Sequence, residues 1–245
     1  MDLEDLFKDF SSEFSQAIEQ GLPTKEEFIE KKYKGDPTLD YSISKEIVKI
    51  SPKVIYEQLG GQNTLEYISS YSQSLKSEGC LAMEIAFSAL IDESSLKIIQ
   101  VIVGEVGNSG ECDIDAGVLL KNSYAAAEKT KTKVSLGHTH PVFTLENGLA
   151  DPKRTYGAIP SLIPYTSKKQ VKASFRNNEK LANEIIRTEI YKQYRGDYVE
   201  LYMRPQLEPL ISNYAMILSP VLKQLGIFEV KEKGVIVYHP WIVSD

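Results

Sequence analysis

The chain has 245 residues, a formal net charge of −6, and 42% apolar and 25% charged residues. That is the composition of a folded globular chain and excludes a disordered, collagen-like or disulfide-scaffold protein. The negative balance offers no general attraction to nucleic acid or an anionic membrane, and no stretch approaches the roughly 18 apolar residues of a membrane span. Cys80 and Cys112 lie outside any CxxC pair and read as reduced thiols. The start, MDLEDLFKDF, carries Asp2, Glu4 and Asp5 where a signal peptide carries lysines, so a soluble, cytoplasmic protein is expected.

Residues 1–76 read as an N-terminal helical region. Leu3, Leu6, Phe7, Phe10 and Phe14 share one helical face, and Gly21 and Pro23 end that helix. Thr24 and Glu27 form a capping box for the next one. Ser51-Pro52 opens a third, and Leu65, Ile68 and Leu75 mark a fourth.

From Glu84 the pattern changes. EIAFSALI, the turn DESS and LKIIQVIVGEV predict a β-hairpin. Asp113 and Asp115 precede AGVLLKNSYAAAEKTKTK, an alanine-rich helix with an aspartate cap and lysines in its last turn. VSLGHTHP predicts a third strand and PSLIPYT a fourth, so residues 77–167 read as an α/β unit. Residues 168–245 read as a helical extension: Leu181 and Ile185 mark one helix, stopped at Gly196, and QLEPLISNYAMILSPVLKQLG predicts one or two more. IFEVKEKGVIVYHPW closes it as a hairpin-like pair.

Two of the three histidines lie in SLGHTHPVFTLENGLAD. In a strand, positions i and i+2 share a face, so His138 and His140 present both imidazoles together. Pro141 ends the strand, and the following loop returns Asp151. Two nitrogens and one carboxylate are the three protein ligands of a catalytic zinc, whose fourth position holds water; a structural site wants four, usually cysteine-rich.

The pattern His138-x-His140, seven residues, one position, two more and Asp151 resembles the metal signature of JAB domains, also called MPN or JAMM domains. MEIAFSALIDESSLKI is similar to their RadC-like branch, and the resemblance spans residues 78–166. It implies a curved JAB-type sheet with flanking helices and a Zn2+ cofactor held by His138, His140 and Asp151. Glu84 matches the general base, which moves a proton from the zinc-bound water to the leaving amine. The implied reaction is hydrolysis of a peptide or isopeptide bond, and the implied partner a protein or peptide substrate such as a ubiquitin-like protein. Gly148 stands where the family carries an oxyanion-supporting serine, and Pro152 follows the aspartate directly. Backbone amides, Thr144 or Ser161 are the substitutes for that hydroxyl.

Other readings stand beside this one. Glu93, Glu105 and Glu111 rival Glu84 as the base, and His239 is the remaining imidazole. A cupin also begins H-x-H, but Glu146 lies too far from His140 for its usual spacing, and an alanine-rich helix precedes the motif. A non-catalytic JAB-fold scaffold is the alternative from another class.

Overall fold

A computed structural model describes residues 40–52, 54, 64–75, 80, 82–107, 112–115, 117–141, 143, 165–194, 196–219, 224–231 and 235–244. The helices expected before residue 40 lie outside these residues, as do residues 160–164 of the strand expected in PSLIPYT, whose Tyr165 and Thr166 are not in a strand. The described chain runs β1 (Asp40–Ile43), β2 (Val48–Ile50), α1 (Thr64–Ser74), β3 (Ile85–Asp92), β4 (Lys97–Val106), α2 (Leu119–Thr130) and β5 (Lys133–Thr139). It continues with α3 (Lys168–Ser174), α4 (Glu179–Thr188), a 3-10 turn (Ile190–Lys192), α5 (Asp197–Leu207), β6 (Ile211–Ser219), β7 (Gln224–Val230), β8 (Val235–His239) and β9 (Trp241–Val243).

The fold is mixed α+β, built on one nine-stranded sheet ordered β1-β8-β7-β6-β5-β3-β4-β2-β9. The strands at one end of that order lead along the chain into those at the other end: β1 into β2, and β8 into β9. β1 pairs parallel with β8, β2 pairs parallel with β9, and Ser44 and Val48 donate to Tyr238 and Pro240 between them. The sheet therefore curls, bringing the β1–β8 pair near the β2–β9 pair.

Both faces are covered. Phe87, Ala89, Ile91, Met216, Leu218 and Ile227 pack on one face, while Leu90, Val134, Leu136, Ile217 and Phe228 pack on the other against α2 and α5. A third apolar cluster, including Val171, Phe175, Leu181 and Ile185, joins α3 and α4 to α5 through Val199 and Met203.

Several expectations are corrected by this packing. The run expected to be helical after QLEPL is strand β6, parallel to β5 and antiparallel to β7. Its apolar residues are buried on both faces, and such an unbroken run lacks the alternation that separates strand from helix. The N-terminal region supplies β1 and β2 as well as α1, so it is not helical throughout. The C-terminal third likewise supplies four strands of the shared sheet, β6 to β9. Nor do the aspartates cap α2, whose N-cap is Val118 with no side-chain bond. Asp113 instead accepts from the Asp115 amide, and Asp115 binds Arg204.

Arg204 is fully buried. Its Nη1 and Nη2 donate to Asp115 at 2.8 and 2.5 Å, Nη2 also donates to Glu200 at 2.6 Å, and Glu208 lies 3.6 Å from Nη1. Tyr124 of α2 and Asn178 beside α4 donate to Glu208 in turn. Removing one partner of a buried ion cluster leaves uncompensated charges. Arg204→Ala should therefore lower unfolding stability by about 3–5 kcal/mol, read by denaturant titration; a loss under about 1 kcal/mol would mean the cluster is not structural.

Candidate metal centre

Strand β5 sends Val134 and Leu136 toward the helices, and the same alternation sends His138 and His140 there. His140 follows the last strand residue but still donates its amide to Leu218 at 2.9 Å. Gly137, just before His138 and opposite Phe87 in register, has no room for a side chain: a Cβ there would stand 2.3 Å from the Phe87 ring.

Glu84 is placed by the neighbouring strand. β3 and β5 are antiparallel with Ala86 opposite His138, so one more step along the same face sets Glu84 opposite His140. Thr139, fully buried between the two histidines, holds this arrangement. Its Oγ1 accepts from the Ile85 amide at 2.8 Å and donates to the Met83 carbonyl at 3.1 Å. The backbone on either side of Glu84 is thus bonded to one hydroxyl.

The third group comes from α5. Asp197 is its first residue, following Gly196 at φ 55°, a backbone region that favours glycine. Its Oδ2 lies 3.3 Å from His138 Nε2 and 3.5 Å from His140 Nε2, and the two nitrogens are 3.0 Å apart. Zinc with bonds of about 2.0–2.1 Å in a tetrahedron has donor atoms about 3.3–3.4 Å apart. The three donors therefore already outline one face of such a tetrahedron. His138, His140 and Asp197 form a group that could hold a metal ion.

The surrounding charge favours a cation. Burial disfavours the His138 imidazolium, but the charge and hydrogen bond of Asp197, with Glu84 and Glu200 beyond, outweigh it and push His138 up to about 9. Burial also opposes the Asp197 anion, yet His138 and His140 hold it well below the usual carboxylate range. Glu200 is pushed up by burial, with Asp115 and Asp197 adding to the shift against the pull of Arg204. Burial likewise raises Cys112, whose thiol is hydrogen-bonded to Glu84 and faces Glu200 and Asp197.

His138 and His140 thus come together, with Glu84 close enough to act on His138 by its charge. Asp151 and Gly148 lie outside the described residues, as do Thr144, Ser161 and Glu111. Glu93 sits past the far end of β3, bonded to Ser212 at 2.7 Å and paired with Lys133 at 3.1 Å. Glu105 is exposed, with its carboxylate over Gly117, and His239 is buried 3.6 Å from Glu229. Asp197 was not anticipated from the sequence. Its one signal is an acid directly after a helix-stopping glycine, as a new helix would begin.

No protein-family model matches the chain, and no curated protein matches it in sequence. Among the described residues, no helix is long and apolar enough to cross a membrane.

The geometry generates a direct test. His140→Ala and Asp197→Ala should each weaken zinc binding by roughly a hundredfold, measured by competition with a chromophoric chelator. Wild-type affinity in both variants would remove this group as the metal centre.

Proposed function

We propose that the chain is a zinc-dependent hydrolase of the JAB/MPN (JAMM) type that cleaves a peptide or isopeptide bond, in the class that removes ubiquitin-like modifiers. The observation carrying this reading is the triangle of His138, His140 and Asp197 donors spaced for zinc, with Glu84 directly before the adjoining strand. A mixed α+β sheet with α2 and α5 packed on one face is compatible with the curved sheet and flanking helices that the resemblance implies.

A zinc ion held there would supply a water acidified toward neutrality and a Lewis acid for the scissile carbonyl. The protein's own groups do the rest. His138 and His140 offer Nε2 lone pairs, so metal binding must displace the proton that Asp197 stabilises on His138. Asp197 takes the third place in this reading. The resemblance assigns that place to Asp151, and the two assignments separate cleanly: zinc lost in Asp151→Ala but retained in Asp197→Ala would restore the resemblance's ligand set. Glu84 accepts the proton of the attacking water and passes it to the leaving amine. Gly148 provides no hydroxyl for the oxyanion, so that support falls to backbone amides or to Thr144 or Ser161.

Glu84→Gln keeps the shape and removes the proton acceptor. Hydrolysis of a ubiquitin-like fusion panel should fall by roughly a hundredfold or more while zinc content stays at one per chain. Full activity in this variant would dismiss Glu84 as the base. Zinc without hydrolysis by the wild type would favour a scaffold instead.

Thr139→Val preserves volume but loses both bonds that flank Glu84. We expect kcat to drop about tenfold with KM and zinc content unchanged, and Thr139→Ser to restore it. Equal kcat in Thr139→Val and wild type would show that the hydroxyl does not position the base.

A further inference from the structure

We infer that Ser219 is a further catalytic residue of this centre. Its hydroxyl, fully buried beside His140 and without a hydrogen-bond partner among the described residues, donates to the substrate's carbonyl oxygen as that oxygen becomes negative. This rests on the hydrolase reading above and names the donor that Gly148 cannot supply.

Register places Ser219. The parallel pairing of β5 with β6 sets Ile217 opposite His138 and Leu218 opposite Thr139. The His140 amide continues that ladder to the Leu218 carbonyl at 2.9 Å, so the next step brings Ser219 opposite His140. Leu136, Ala215 and Ile217 of the same two strands face the helix-side core, and alternation turns Ser219 to that face with the histidines. Neighbouring strands lie about 4.8 Å apart. Glu84, His140 and Ser219 therefore form a row across the sheet, with the imidazole in the middle and the carboxylate and hydroxyl on opposite sides.

The hydroxyl differs from the other buried serines. Ser88 and Ser123 bond each other, Ser72 donates to the Met83 carbonyl, Ser135 to the Tyr214 carbonyl and Ser212 to Glu93. Ser219 has no such bond among the described residues. A buried hydroxyl left this way has lost its water without compensation, and alanine would fill the same place in the strand without that cost. Glu84 and His140 are buried as well, so the row is shielded from water. There a fixed donor acts most strongly on a charge that develops during reaction.

The two sides of the row suit the two halves of that reaction. As the water oxygen bonds to the scissile carbon, its proton passes to Glu84 and the carbonyl's electron pair moves onto oxygen. Ser219 shares its proton with that oxygen without giving it up. The pair returns as the C–N bond breaks and the amine leaves with the proton from Glu84.

Ser219→Ala and Ser219→Thr in the full chain test this through three readouts: zinc affinity by chelator competition, the denaturation midpoint, and turnover of the ubiquitin-like fusion panel. In Ser219→Ala, kcat should fall roughly a hundredfold with KM within about twofold of wild type. Zinc affinity and midpoint should stay at wild-type values, because the lost hydroxyl bonds no described residue of the resting protein. Ser219→Thr keeps the hydroxyl on a residue suited to a strand and should recover most of the lost kcat. Undiminished kcat in Ser219→Ala would overturn this role and leave the hydrolase reading standing. Zinc affinity weakened by roughly tenfold or more, or a lowered midpoint, would overturn it by showing that the hydroxyl supports a ligand or the fold. A zinc-loaded wild type that hydrolyses none of the panel would overturn both readings.

Discussion

The antiparallel pairing of β3 with β5 is the constraint on which the rest depends. It sits at the middle of the sheet, aligns Ala86 with His138, and carries Glu84 toward His140 by register alone. A slip of one residue would turn the imidazoles to the face away from α2 and α5 and bring Gly137 away from the Phe87 ring that fills its missing side chain. Thr139 ties the register to the chemistry, because its hydroxyl bonds the chain on both sides of Glu84. The residue between the histidines is therefore part of how the carboxylate is aimed.

Around this pairing, the sheet is covered on both faces and ends in the parallel β1–β8 and β2–β9 ladders. Burial on the helix side makes charge expensive there, and the protein nevertheless gathers Glu84, Asp115, Asp197, Glu200 and Glu208 around a buried Arg204 and two histidines. Such a surplus of carboxylates is stable only with cations to match. Arg204 answers one part of it. The proposed zinc answers the other, at the end where Asp197 meets the imidazoles.

The local parts of this arrangement were legible in the sequence. The β3–β4 hairpin shows as two apolar runs around DESS, where Asp92 accepts from Ser94 and Ser95 as a turn residue should. The shared face of His138 and His140 follows from strand alternation, and Glu84 stands out as the acid directly before an apolar strand. The rest depends on contacts distant in sequence. β6 reads as helix because burial on both faces erases its alternation, and β1 and β2 are short strands that pair in parallel with the far end of the chain or with β4. Asp113 and Asp115 resemble caps because the partner that claims Asp115, Arg204, lies on a helix that returns from much later in the chain. Asp197 is hidden for the same reason: nothing near it in sequence announces a ligand.

The central claim is that zinc is bound by two imidazoles and a carboxylate, with Glu84 free to handle the proton. X-ray absorption at the zinc edge of the loaded protein reads the ligand set directly. The account predicts a shell of nitrogen and oxygen alone at about 2.0–2.1 Å, with the multiple scattering of two histidines, and no change in that shell in Glu84→Gln. A sulfur contribution near about 2.3 Å, which would bring in Cys112, or a shell altered by Glu84→Gln would contradict it.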